Sequence, residues 1–207
     1  AYILGEIADS RSIKPLMKTL KDHSHHVRSA AIGALAKIGA VEATRALAQV
    51  INKDPEPTVR REAAIALGKF GAGIKEAADA LIRALTDKSR RVRAQAARAQ
   101  GRLGDPKAVT PLIHALDDSY WSVRSNAFNS LVSLGPVALP GLIEAFETLS
   151  GDTRLKVLEV IAEMGQPGAI EPLQGMLKPA EKDKEFREKV KKTIETLKMK
   201  EKEEEEV

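Results

Sequence analysis

The 207-residue sequence contains no cysteine. That excludes a disulfide, a thiolate metal site and a cysteine nucleophile, and it fits a reducing, cytoplasmic setting. Aromatic residues make up only 3%, with one Trp, two Tyr and four Phe, so a core must be assembled mainly from Ala, Leu, Ile and Val. No apolar run approaches the roughly 20 residues that a helix needs to cross a bilayer, and no signal-peptide pattern is visible. The chain opens on Ala1 directly in helical pattern, as expected of a segment of a larger protein. Net charge is +4, yet the last ten residues hold three Lys and five Glu, which leaves the remainder mildly basic. An excess of that size does not by itself imply nucleic acid.

What is present is a repeat. Val-Arg recurs at Val27-Arg28, Val59-Arg60, Val92-Arg93 and Val123-Arg124, spaced by 32, 33 and 31 residues. An Asp stands five positions before each Val (Asp22, Asp54, Asp87, Asp118), and a Gly twelve positions after it (Gly39, Gly71, Gly104, Gly135). Looser copies follow at Thr153-Arg154 and Phe186-Arg187. Upstream of each lies an apolar pair four apart: Leu16/Leu20, Leu47/Ile51, Leu81/Leu85, Leu112/Leu116, Leu142/Phe146 and Leu173/Leu177. Pro15, Pro111 and Pro172 precede the first Leu of their pairs, where a first helical turn tolerates them.

Each unit therefore reads as helix A, a turn, helix B, and a Gly stop in left-handed conformation. In the first unit Val27, Ala31, Ala34, Leu35 and Ile38 form the expected buried stripe of helix B, at helical and not strand spacing. One such hairpin cannot bury both its faces, so neighbours must stack. The expected fold is an all-α, right-handed α-α superhelix of about six two-helix repeats spanning residues 1–198, with an N-terminal half repeat at Ile3–Asp9. The final helix, about Asp183 to Lys198, reads as a polar cap, and residues 199–207 as a charged, disordered tail.

The pattern Asp-x4-Val-Arg-x2-Ala-Ala-x-Ala-Leu-Gly-x-Ile/Phe-Gly is matched closely by residues 54–71 and nearly as well by 22–39 and 87–104. It resembles the HEAT-like repeat of phycobilisome lyases, and the resemblance covers essentially the whole chain. That family includes bilin lyase subunits, an iron-dependent hydroxylase, DNA glycosylase relatives and many binding scaffolds, so it speaks for fold more than function. It implies that Asp22, Arg28, Asp54, Arg60, Asp87, Arg93, Asp118 and Arg124 form a structural ladder between units, each Arg bonding Asp carboxylates and turn carbonyls. The hydroxylase relatives require His-Glu pairs, and this sequence contains no His-Glu dipeptide.

No catalytic constellation, metal site or cofactor motif emerges. His23, His25 and His26 crowd one turn and could in principle hold a metal through imidazole nitrogens. Only Asp22 could support them, and it belongs to the ladder; a solvated turn is the simpler reading. His114 occupies a position filled elsewhere by Lys18, Arg83 and Glu144, so a surface site is expected.

The remaining candidates lie on the inner face of the B helices, which in HEAT-like solenoids lines the concave side. This face varies from unit to unit, as a specific surface would. The candidate partner-binding residues are Arg61, Glu62, Ile65, Lys69, Arg90, Arg91, Gln95, Arg98, Arg102, Tyr120, Trp121, Asn126 and Asn129. Arg, Tyr and Trp are the types enriched at interface hot spots. The competing structural reading has Tyr120 and Trp121 stapling a helix start beside solvated arginines. The expectation is a non-enzymatic scaffold that binds another protein, through an acidic segment or helix, with no membrane involved. Nucleic-acid binding by the basic patch is the first alternative, and a bilin lyase-type subunit the second.

Overall fold

The structure is a computed structural model that describes residues 10–149, 151–177 and 184–205. The described residues are all-α, with short 3-10 turns and no strand. Helices α1 (Ile13–Thr19) and α2 (His25–Ile38) form the first pair, α3 (Thr44–Lys53) and α4 (Pro57–Phe70) the second, and α5 (Lys75–Ala84) and α6 (Arg90–Leu103) the third. They are followed by α7 (Val109–Ala115) with α8 (Trp121–Leu134), α9 (Leu139–Thr148) with α10 (Gly151–Met164), and α11 (Ile170–Met176) with α12 (Lys184–Glu205). The half repeat expected at Ile3–Asp9 lies outside the described residues.

The chain divides into two compact units, Ala1–Ser130 and Leu131–Val207. In the first unit A packs on A and B on B. Helix α3 contacts α5, and α4 lies between α2 and α6. The small residues make this possible. A Cβ on Gly68 would stand 2.8 Å from that of Ala99, so α4 and α6 approach closer than two Cβ-bearing surfaces allow. On Gly101 it would stand 2.6 Å from Ser130 Oγ, the same effect between α6 and α8. Ser130 Oγ in turn donates to Ala97 O at 2.9 Å, which satisfies a buried hydroxyl.

The A-helix pairs from Leu16/Leu20 through Leu142/Phe146 are buried, as is Leu173, while Leu177 is partly covered. Ala31, Ala34 and Leu35 of the expected B stripe are buried too. Val27 differs. It is 36% exposed, whereas Val59, Val92 and Val123 are fully buried. Ile38 is likewise only half-covered, and Ile32 is buried in its place.

The Gly stops are of two kinds. Gly39 and Gly104 cap α2 and α6 in left-handed conformation, at φ 71° and 72°. Gly71 has an ordinary φ of −86°. Its Cβ would meet Leu67 O at 2.5 Å and Ala77 Cβ at 2.6 Å, so space and not backbone freedom demands glycine there. The left-handed residue of this turn is Gly73, at φ 74°.

In the second unit the Arg of the repeat recurs as Arg154, with Thr148 at its own repeat's Asp position. Arg154 Nε donates to Phe146 O at 2.8 Å, and its guanidinium lies 4.7 Å over the Phe146 ring and 4.1 Å over that of Phe186. The cation therefore also packs against two aromatic faces. Phe186, Val190, Ile194 and Leu197 make the apolar buried stripe of α12, with Thr193 buried beside them, and Lys and Glu dominate the rest of that helix. The tail expected to be disordered from residue 199 continues α12 through Glu205. Its Lys/Glu composition favours helix.

Candidate partner-binding site

The ladder residues define the frame of the site. Arg28 donates to both carboxylate oxygens of Asp54, Arg60 to those of Asp87, and Arg93 to those of Asp118, at 2.6–3.0 Å. Nη1 of each Arg donates to two carbonyls of its own turn, such as Asp54 O and Pro55 O for Arg60. Each Asp also accepts the N–H two residues on, from Ser24, Glu56, Ser89 or Tyr120. One Arg thus ties its own A–B turn to the next, and one Asp shapes a turn while receiving the preceding repeat. Arg124 donates to Asp118 O and Ser119 O; the fifth repeat has Thr148 where an Asp would stand.

Electrostatics follow from this geometry. Burial alone would push the Asp87 carboxyl up, but the Arg60 hydrogen bond, the Ser89 N–H and the charges of Arg60 and Arg93 outweigh it and hold it below its usual value. Asp118 is depressed in the same way: burial opposes, while the Arg93 hydrogen bond, the Tyr120 N–H and the charges of Arg93 and Arg124 prevail. The hydrogen bonds to these carboxylates raise the already high values of Arg60 and Arg93.

On this frame the first turns of α4 and α6 and the residue preceding α8 enclose a cavity of about 380 Å³. Pro57, Thr58 and Arg61 come from α4, Lys88 to Arg91 from the next turn and helix start, and Tyr120 from the one after. The Arg90 guanidinium lies 4.7 Å from the Tyr120 ring centroid and that of Arg93 5.7 Å. The ring therefore stands over the ladder. Trp121, beside it in sequence, is outside the cavity wall and 72% exposed, which is unusual for so large an apolar surface.

Of the thirteen candidate residues, the cavity brings together Arg61, Arg90, Arg91 and Tyr120. Lys69, Arg98, Arg102 and Asn129 are exposed elsewhere on the B helices, and Glu62, Ile65, Gln95 and Asn126 are half-buried. Glu62 accepts from Arg61 Nη2 at 2.8 Å, which neutralises part of the patch. Lys88 and Ser89 were not among the candidates. They precede the B-helix register used to select them, and only their place after Asp87 signalled them. His25 and His26 lie with ring centroids 4.0 Å apart and planes tilted by 37°, and His114 is exposed. Among the described residues no three His, Asp or Glu side chains converge as metal ligands, and no single helix is long and apolar enough to cross a membrane.

Such a stack of Arg- and Asp-tied helix pairs defines an α-helical repeat protein. The family described as HEAT repeats matches residues 1–68 and 44–132, and the chain belongs to that family. A phycocyanobilin lyase subunit alpha of Nostoc sp. is 35% identical over 128 residues, which cover 58% of this chain and 44% of the relative. The subunit of the same name from Picosynechococcus sp. is 34% identical over 118 residues, covering 53% and 41%. This chain therefore matches less than half the length of these relatives. The expectation of a non-enzymatic protein is corrected by them, since both are named as subunits of a lyase.

Solved structures agree on the fold. The complex of CpcE and CpcF of phycocyanin lyase from Nostoc sp. aligns with a TM-score of 0.56 at 21% identity, over 95% of this chain and 86% of that one. Yeast importin-beta aligns at 0.63 and 15% identity, over 95% of this chain and 32% of its own.

Proposed function

We propose that this chain is a partner-binding HEAT-repeat module that holds another protein against the inner B-helix face of its first unit. The exposure of Trp121 beside the Arg61–Arg90–Arg91 cluster carries the reading. An indole left in water next to Tyr120 and three arginines is the composition of an interface centre before its partner arrives. Residues Gln95, Arg98, Arg102, Asn126 and Asn129 would supply the flanking contacts. The test is affinity capture followed by mass spectrometry, with an Arg61→Ala/Arg98→Ala/Trp121→Ala variant beside the parent. Loss of the same captured protein with the helical spectrum intact supports the assignment; unchanged capture removes it.

A second reading places the module within a lyase-type assembly acting on a bilin. The 35% identity to a phycocyanobilin lyase subunit supports it. A bilin added to the protein should then change its absorbance spectrum, and a spectrum equal to the sum of the components counts against it.

A further inference from the structure

The cavity at the starts of α4 and α6 has a one-sided chemistry. Arg61, Lys88, Arg90 and Arg91 contribute four cationic side chains to its wall, and no carboxylate lines it. Of the nearby acids, Asp87 and Asp118 are engaged in the ladder, and Glu62 offsets part of the Arg61 charge, which leaves Lys88, Arg90 and Arg91 without a carboxylate in the cavity wall. Arg61 Nε is buried and has no hydrogen-bond partner. The Ser89 side chain makes no cap hydrogen bond to α6, so the positive end of a 14-residue helix adds to the same field.

We infer that this cavity receives the side-chain carboxylate of an acidic, extended segment of a partner protein, an assignment that rests on the partner-binding reading above. Charge complementarity selects the occupant. The planar forks of Arg61, Arg90 and Arg91 suit a carboxylate. Position selects the extended form. The cavity draws its wall from three successive repeats at the level of their turns, so a bound chain crosses the B helices at their ends. Neighbouring helices lie about 8–10 Å apart; about three residues of extended chain, at roughly 3.3 Å each, span one repeat. Tyr120 closes one side with its ring, and Trp121 then lies where the next apolar residue of the segment would pass.

Trp121 is the only tryptophan, so its emission reports on this place alone. The experiment titrates the full chain with a hexaglutamate peptide at low salt, following Trp121 fluorescence and, independently, binding heat. Saturable binding is expected. It should weaken at least tenfold in an Arg61→Ala/Arg90→Ala variant whose circular dichroism is unchanged, and stay unaltered in Lys198→Ala, an exposed cation of the second unit. Absence of saturation, or equal affinity in the double variant, overturns the assignment. So does tighter binding of a single-stranded hexanucleotide, because phosphate would then be the preferred ligand. Capture of the partner in the same double variant separates the two ideas. If capture persists while peptide binding was never present, the carboxylate pocket fails and the broader docking face stands.

Discussion

Arg60 and Asp87 are joined by two parallel hydrogen bonds, Nε to Oδ2 at 2.7 Å and Nη2 to Oδ1 at 2.8 Å, across 27 residues of sequence. Their side chains are only 14% and 11% exposed. Arg60→Ala leaves Asp87 without its fork in a poorly solvated place, and it also orphans the carbonyls of Asp54 and Pro55. The variant should lose about 3 kcal/mol of stability, read from its denaturation midpoint. Arg60→Lys should recover only part of this, because an ammonium cannot reproduce the two-point geometry.

The depressed carboxyls set a pH dependence. Asp87 and Asp118 titrate lower in the folded chain than in the unfolded one, so the unfolded state binds protons first as pH falls. Their contribution is fully present above the unfolded value of about 3.9 and is lost as pH drops through the lower folded values. Stability should therefore be level near neutrality and fall on acidification below about pH 4. An Asp87→Asn/Asp118→Asn variant should start less stable and show a shallower acid slope; an unchanged slope would place the acid sensitivity elsewhere.

Two glycines at equivalent repeat positions should respond differently. Gly39 has φ 71° and open space around its missing Cβ, so Gly39→Ala should cost about 1 kcal/mol through backbone strain. Asn, which tolerates this conformation, should cost less. Gly71 has relaxed φ but would drive a Cβ into Leu67 O and Ala77, so Gly71→Ala should cost about 2 kcal/mol, and Asn should be no better. Thermal melts of the four variants decide it.

Gly33 stands inside α2 with nothing within 4 Å of where its Cβ would be. Gly33→Ala should raise stability by about 0.5–1 kcal/mol through helix propensity. The same variant that gains stability but loses partner capture would show that a partner approaches the α2 backbone there.

The repeat, its length and the placement of Arg and Asp were legible in the order of residues alone, because a stacked hairpin imposes the same burial on the same positions in every copy. Leu47, Leu81 and Leu112 share one fate for that reason, and six helix pairs follow among the described residues. Arg61, Arg90, Arg91, Tyr120 and Trp121 were legible as residue types on a variable face. Their partition was not. Tertiary packing decided that four of them wall one cavity with Lys88 while Trp121 stands outside it, because the wall is drawn from turns about thirty residues apart. It also decided that Gly71 answers to Ala77 and not to φ. Periodicity records what all repeats share. Which neighbour a side chain meets depends on how one repeat lies on the next.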